Sequence, residues 1–470
     1  MAAIVVLGGG VCGLATALLL SRDGHDVLVL ERDPAPVPDD PGTAWDTWER
    51  AGVAQFHLAH FLHARTTRLT EAELPDVAAR LVAAGGYRHD PLDSAPPTLG
   101  PIERRPGDER FVTVTARRPT LEQVVARAAE EEPGLRVERG VVVDGLLLGT
   151  ADGVPHVTGV RTRGGRQVPA DLVVDATGRR SPLPGWLRAA GRQPPREEAE
   201  DSGFAYYGRF FRTPDGGSRP EVRASLNSPL GSFSLLTLPS DRDTWSVTLV
   251  TDAHDRPLKE LRHTDVWTSV VAACPRHAHW LDGVPLTDVV CMAGLQDRLR
   301  RLVVDGRPVV TGLVPVADAW SCTNPSLGRG ISLGLVSAVL LRDVLRAGAD
   351  DDPTTFAVRW DAALELELVP WYRTTLAVDR GRLAEMRADR DGAPATAPPG
   401  APGLGAALGQ AAGQDADLFR ALLEVIGCLT LPSEVFRRPG LADRALQLAG
   451  DRPAPGLPGP DRRQLLELVG

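Results

Sequence analysis

The 470-residue sequence predicts an α/β protein: a parallel sheet with helices, interleaved with an antiparallel sheet and followed by a helical C-terminal region. Three observations carry that reading. The N-terminus runs apolar strand, glycine turn, helix and second strand within about thirty residues. Two more apolar strand-and-turn segments follow far downstream, at residues 170–187 and 306–345. Between them the hydrophobic pattern switches to period two, as half-buried antiparallel strands require.

In "AIVVLGGGVCGLATALLLSRDGHDVLVLERD", Ile4 to Leu7 form the continuous apolar run of a strand buried on both faces. Gly8, Gly10 and Gly13 follow in G-x-G-x-x-G spacing. The first permits the tight turn, the second lets a pyrophosphate approach the backbone, and the third lets helix and strand pack closely. The helix start offers free N–H groups and about half a positive charge to phosphates. Asp23 and Gly24 end that helix, and "DVLVLE" closes on Glu31. A carboxylate there suits ribose hydroxyls and repels a 2′-phosphate. The unit is Rossmann-like and favours FAD or NAD over NADP.

The downstream segments favour FAD. "ADLVVDATGRRSPLPGWL" is an apolar strand ending in a small-residue turn. In residues 306–345, Val309 to Val316 reads as a strand interrupted by Gly312 and Pro315, with Asp318 at its end. Pro325, Gly328 and Gly330 then make a turn, and Ile331 to Leu345 an apolar helix. A carboxylate at the strand end can hold a ribityl hydroxyl, and the helix start can face a negatively charged reduced ring. Segments this far apart suit a long cofactor stretched across its domain.

Together these motifs resemble the FAD-dependent monooxygenases of the aromatic-hydroxylase (p-hydroxybenzoate hydroxylase-like) superfamily, closest to the branch of polyketide and polyether epoxidases. "GVAQFHLAH", "YYGRFFR", and "PWYR" with "DRGRL" are similar to that branch as well. The resemblance spans most of residues 1–390. It implies that Gly8, Gly10, Cys12 and Gly13 face the pyrophosphate, and that Glu31 and Arg32 face the adenosine. Arg118 in "ARRPTLEQ" would lie near the phosphates and ribityl chain. Val142, on the strand "RVERGVVVDGL", would line the adenine through its backbone. Asp318 would meet the ribityl chain or pyrophosphate, and Pro325, Gly328, Gly330 and Ile331 would border the isoalloxazine. Two positions depart from the family pattern. Its Gly-Asp pair is Ala317-Asp318 here, and its Asp-Gly middle motif is Asp175-Ala176-Thr177-Gly178. The second departure bears on whether NAD(P)H docks directly or FADH2 arrives from a partner reductase.

The implied activity is insertion of one oxygen atom from O2 into a hydrophobic small molecule of secondary metabolism, by epoxidation or hydroxylation through a flavin C4a-hydroperoxide. Such chemistry belongs mostly to the cofactor. Epoxidation needs no base, whereas hydroxylation of a phenol benefits from one, and no residue in the sequence marks it. The alternatives are a FAD oxidase, dehydrogenase or reductase that inserts no oxygen, and a non-catalytic flavin-binding protein. The W-x-W-x-I-P segment of flavin halogenases is absent, and Lys259, the only lysine, lacks the halogenase context. The Y-x-W-x-F-P segment of geranylgeranyl-reductase relatives is absent too.

"GFAYYGRFF", "SFSLLTLP" and "TWSVTLVT" alternate as strands of a substrate platform, with "NSPLGS" and "PSDRDT" as turns. On the first, Tyr207, Arg209 and Phe211 share one face, and that face is expected to line the pocket. The opposite face, with Tyr206, Gly208 and Phe210, would pack on a helix. The expected layout is FAD-binding parts at 1–85, 113–190 and 301–350, a substrate-domain excursion at 86–112 and the antiparallel domain at 191–300. A helical region at 351–470 completes it, with a Pro/Ala/Gly-rich linker near 392–403. Asp352 and Pro353 start its first helix as N-cap and first residue, and Pro370 is expected to kink it.

"GVAQFHLAHFLHAR" places His57, His60 and His63 at three-residue intervals, which on a helix lets neighbours share a face. No nearby Cys, Asp or Glu completes zinc-like spacing, so the segment reads as wall, not metal site. By resemblance His60 and Arg65 lie near the flavin; the alternative is an interdomain helix with partly exposed histidines. Bulk properties fit a soluble enzyme: net charge −9, 43% hydrophobic and 24% charged residues. No basic aromatic stripe suggests nucleic acid, and no apolar run reaches the ~20 residues that span a bilayer. Five scattered cysteines without a CxxC pair, and no signal-peptide pattern at the start, point to a reducing, cytoplasmic setting.

Overall fold

The computed structural model describes residues 1–53, 55–348, 352–393, 403–450 and 456–470; most of the expected linker at 392–403 lies outside them. At the centre is a five-stranded sheet, all parallel, ordered Leu313–Pro315, Leu172–Asp175, Ala3–Leu7, Asp26–Glu31 and Leu135–Arg139. Val5 lies in register with Leu28 on one side and Val173 on the other. Helices Val11–Arg22, Arg118–Glu130 and Gly330–Ala347 cover one face, where Leu14, Leu18, Val124 and Leu335 join Ile4, Val6 and Val29 in the largest core. An antiparallel meander (Val143–Ala151, Val154–Thr162, Gln167–Pro169) covers the other through Val157 and Val160. Burial on both faces is why these strands read as unbroken apolar runs.

The three period-two segments form strands Phe204–Arg212, Phe233–Pro239 and Thr244–Asp252 of a second, antiparallel sheet. A short sheet of Arg196–Asp201, Gln296–Arg301 and Ser321–Cys322 connects it to the third cofactor segment. The two halves are also clamped by a buried ion pair: Arg117, just before helix Arg118–Glu130, donates to Asp241 at 2.9 Å. Its Nε and backbone N–H reach the same carboxylate, so the relative position of the halves is fixed by several charge-assisted bonds.

Several local expectations are corrected. Pro370 does not kink a continuous helix. One helix ends at Glu367 and the next, Val369–Asp391, begins with Pro370 in its first turn, where a missing N–H costs nothing. The Val309–Val316 strand shrinks to Leu313–Pro315, because Gly312 takes φ +71 just before it. Residues 57–63 form an irregular segment and the helix starts only at Ala64. Val142 falls between two strands, and its carbonyl accepts the N–H of Arg163. The 86–112 segment packs on the C-terminal helices: Leu92 and Phe111 meet Phe419 and Leu423, and Asp108 pairs with Arg420 at 2.9 Å. Asp352 caps its helix as expected, accepting from the N–H groups of Thr354 and Thr355. No helix among the described residues is long and apolar enough to cross a membrane.

Candidate functional site

The glycine turn has the geometry of a phosphate cradle. Gly8 sits at φ +101, and a Cβ there would meet the Ala176 carbonyl oxygen at 2.7 Å. A Cβ on Gly13 would lie 2.2 Å from the Gly8 oxygen, so turn and helix touch backbone to backbone. Gly10 has nothing within 4 Å on its Cβ side. It is also the N-cap of helix Val11–Arg22, with no side chain capping the first turn and no acidic residue in it. Free amides facing open space fit a diphosphate.

Behind the turn lies a buried charge cluster. Glu31 accepts the N–H of Gly9 at 2.6 Å, the N–H of Asp33 at 2.8 Å and Arg50 at 3.1 Å. A carboxylate has about four acceptor positions, so Glu31 is already largely committed to shaping the loop. Arg50 also pairs with Asp33 at 3.0 Å and Glu122 at 2.9 Å. Glu122 in turn accepts from Arg118 at 2.6 Å. Arg32 lies exposed, with its guanidinium against Gly52.

Arg118 links this cluster to the third segment, since its charge acts on Cys12, His60 and Asp318 alike. Asp318 follows Ala317, which adopts φ +50, a left-handed conformation that explains why the resembling family has glycine there. Burial pushes the Asp318 carboxyl up, opposed by Arg179 and Arg118; Arg179 approaches to 4.0 Å. Gly330 opens the following helix, again without a side-chain cap, and its Cβ position faces Asp318 at 3.9 Å. Cys12 packs where the two helices cross: a Cβ on Gly334 would meet its sulfur at 2.3 Å. Burial raises its thiol to about 12, so it stays neutral. Ile331 turns its side chain into the core beside Leu335.

Two uncapped helix starts, an open glycine turn, Arg118 and Asp318 thus gather at the ends of the parallel strands. Those residues fit FAD in their chemistry, with free amides at Gly8–Gly13 that would suit a diphosphate and a carboxylate at Asp318 that would suit a hydroxylated chain.

The three histidine rings do not converge on one partner. Each ring turns to a different carbonyl: His57 to Trp45 at 3.1 Å, His60 to Leu58 at 2.9 Å and His63 to Leu327 at 2.6 Å. Burial drives His60 down to about 3, helped by Arg118, and His63 to about 4, so both are neutral near pH 7. The turn Pro325–Leu327 and Gly328 (φ +64) rest on His63. Arg65 instead faces the C-terminal helices, where its backbone N–H donates to Gly427 and its guanidinium reaches the Leu429 carbonyl.

In the antiparallel sheet, the face expected to line a pocket is packed as core. Tyr207 and Phe211 are core, packed with Trp245 and Trp267, while Arg209 binds the Thr287 carbonyl and lies over the Phe211 and Trp267 rings. Helix Thr264–Ala272 needs that apolar surface, and Trp267 fixes it by donating to the Tyr207 carbonyl. The face towards the cofactor segments carries Phe204 and Tyr206, clustered with Leu236, Leu238, Leu383 and Met386. Tyr206 donates to Asn324 at 2.5 Å, beside Pro325.

Asn324, Asp379 and Arg50 escaped the sequence reading as site residues. Asp379 lies inside "DRGRL" and Asn324 directly before Pro325, yet only the fold joins helix Val369–Asp391 to the turn. Arg50 had no local signal.

Comparison with known proteins points to flavin-dependent oxidoreductases. Residues 3–89 match the family described as FAD dependent oxidoreductase. The chain is 28% identical to Protein Rv3254 of Mycobacterium tuberculosis over 380 residues, 77% of this chain and 75% of that protein. Over 181 residues it is 33% identical to kynurenine 3-monooxygenase of Salinispora tropica, covering 37% of this chain and 36% of that one. Its fold matches that of pqsL from Pseudomonas aeruginosa, described as a probable FAD-dependent monooxygenase, at TM-score 0.58 and 15% identity, covering 82% and 99% of the two chains. Flavin-dependent halogenases share the fold as well.

Proposed function

We propose that this FAD-dependent oxidoreductase is a monooxygenase, which places one oxygen atom of O2 into a hydrophobic small molecule held against the Phe204–Tyr206 face. The observation that carries the reading is the meeting of two surfaces at one turn. Asn324–Gly328 closes the cofactor line on one side and, through Tyr206, touches an apolar cluster on the other. Bound FAD would supply O2 activation and oxygen transfer. The chain's own part is to hold the cofactor at Gly8–Gly13, Arg118 and Asp318, and to present an apolar substrate beside Pro325. It also excludes water there, with neutral His60 and His63 as wall.

The kynurenine 3-monooxygenase likeness supports oxygen insertion, and the resemblance to epoxidase-type flavoproteins supports a secondary-metabolite substrate. The source of reducing equivalents is NAD(P)H or FADH2 from a partner reductase. Asp175 favours the second: it is fully buried, with both oxygens bonded to Thr177 and Ser181, and offers nothing to a nicotinamide nucleotide. Turnover under labelled O2 tests the oxygen insertion. Incorporation of one labelled atom into product is expected; unlabelled product with hydrogen peroxide formation would make the protein an oxidase.

A further inference from the structure

Arg65, expected beside the flavin, lines a separate cavity. Helix Ala64–Glu73 carries Arg65 and Arg68 three positions apart, on one face. The other walls are Arg110 from the helical turn Asp108–Phe111, Glu424 from helix Ala416–Ile426, and Thr430 and Arg438 beyond that helix. With Leu69 and Leu429 these residues enclose about 600 Å³. None of them belongs to the Gly8–Gly13 turn or to the cluster around Arg118 and Asp318.

The charges in this cavity do not balance. Glu424, 5% exposed, is the only carboxylate among the lining residues and is already committed. Its Oε1 accepts from Arg110 at 3.1 Å and from Arg438 at 3.1 Å, and its Oε2 accepts from Arg438 again. Arg110 is steadied further by the Gly107 carbonyl and the Phe111 ring, and Glu434 adds a more distant attraction on Arg438. Arg68 reaches Glu71 only at 3.5 Å, and both side chains are exposed. Arg65 makes no ion pair among the described residues. Its guanidinium touches the Leu429 carbonyl at 3.5 Å, and its Nε is buried without a partner. Arg420 shows the contrast, gripping Asp108 through two nitrogens, each at 2.9 Å. In a chain of net charge −9, four guanidinium groups around one committed carboxylate mark a place for an anion.

We infer that this cavity binds a phosphate monoester, with Arg65 and Arg68 donating to the phosphate and the organic part lying along Leu69 and Leu429. One forked guanidinium uses up both oxygens of a carboxylate, as Arg420 does with Asp108. A phosphate instead offers three oxygens and about two negative charges at about pH 7, enough for several arginines. The cavity volume falls within the range of about 300–1,000 Å³ seen for small-molecule sites, so an organic group fits beside the phosphate. Arg68 and Arg438 are exposed, which gives access from solvent. The inference goes beyond the monooxygenase reading and does not depend on it.

The test is calorimetric titration of FAD-loaded protein, in which the glycine turn is filled and cannot take the probe. Phenyl phosphate should bind about tenfold or more tightly than benzoate, which has the ring but a single charge. It should also bind more tightly than inorganic phosphate, which has no ring, and its affinity should fall as sodium chloride is added. Arg65→Gln should weaken phenyl phosphate binding about tenfold or more, and Arg68→Gln about threefold, with FAD uptake unchanged in both. Arg68 is exposed, so its variant reads the site even if Arg65→Gln folds poorly. The proposal is overturned if wild-type protein does not bind phenyl phosphate, or binds benzoate or inorganic phosphate as tightly. Wild-type affinity in Arg68→Gln, or in a folded Arg65→Gln, overturns it as well.

Discussion

At the phosphate end of the site the chain offers backbone amides over Gly8–Gly13, braced from behind by ion pairs around Arg50. At the ring end it offers side chains, with Asp379 Oδ2, Asn324 Nδ2 and Arg329 Nε all buried and unpaired. The first arrangement sets its charges against one another as ion pairs, even Arg50 Nε and Asp33 Oδ2 lying 3.0 Å apart, whereas the second leaves its polar atoms without such partners. A closed charge network sets shape, while an open one carries a desolvation cost that only a bound group repays. The contrast separates residues whose loss should harm folding from those whose loss should harm recognition.

Arg50→Ala attacks the closed end and should have the largest effect. Arg50 and Glu122 are both almost wholly buried, and removal of the cation leaves Glu31 and Glu122 without their shared partner. Loss of one member of a buried pair costs about 3–5 kcal/mol, read as a lower urea midpoint together with loss of FAD uptake. A change under about 1 kcal/mol, the range of an exposed pair, would erase the distinction between the two ends.

Gly13→Ala and Gly10→Ala sharpen the same contrast within one turn. The first drives a methyl into the Gly8 carbonyl and should cost about 1–3 kcal/mol of stability. The second points into open space, so its cost should be only that of a poorer N-cap residue, about 0.5–1 kcal/mol. Its FAD affinity should nonetheless fall about tenfold or more, because the methyl occupies the approach to the diphosphate. Unchanged FAD affinity in Gly10→Ala would mean that Gly10 is not where the cofactor comes close.

The unequal legibility of the two ends has the same origin. Gly8, Gly10, Gly13, Glu31 and Asp318 act through local backbone geometry, which glycine spacing and strand ends reveal in a single stretch. The ring end is assembled from turn Asn324–Gly328, strand Phe204–Arg212 and helix Val369–Asp391, and no local period joins them. The packing of strand Phe204–Arg212 is hidden from the sequence for a related reason. Alternation separates Tyr206 from Tyr207, but both faces are apolar, and only the packing shows that helix Thr264–Ala272 covers one and helix Val369–Asp391 the other. The histidine segment showed helical spacing, yet its three rings are bound to the carbonyls of Trp45, Leu58 and Leu327, one of them some 264 positions away. Tertiary bonds there override periodicity.

The open end should show itself in the pH dependence of stability. Asp379 has a folded value of about 7, above its ordinary value of 3.8, so the folded state binds the proton more tightly. Its stability contribution is full below about 3.8 and is lost as pH rises to about 7, at up to ~1.4 kcal/mol per unit. Asp379→Asn should therefore match wild type near about pH 4 and melt higher near about pH 8. His60 and His63 act oppositely. Their folded values of about 3 and about 4 lie below 6.5, so stability is lost as pH falls from about 6.5 towards them. Melting curves that rise between about pH 4 and 6 in Asp379→Asn, but are flatter in wild type, would display both signs at once.

The smallest effect is expected at the junction of the two ends. Ala317 holds φ +50, a conformation costing a non-glycine residue about 1 kcal/mol, and its methyl packs against the helix crossing at Gly334. Ala317→Gly removes that strain but loosens the unfolded chain by a comparable amount, so the net gain should be only a few tenths of a kcal/mol. The informative quantity is FAD affinity. Asp318 is positioned by the turn that Ala317 begins, and the Ala317 N–H is anchored on the Ser337 hydroxyl at 3.2 Å. If that anchor sets the carboxylate, FAD binding should stay within about twofold, about 0.4 kcal/mol, and the alanine is a tolerated strain. If the strain itself aims Asp318 at the ribityl chain, glycine should weaken FAD binding while raising the melting temperature, and the junction would then belong with the open end rather than the closed one.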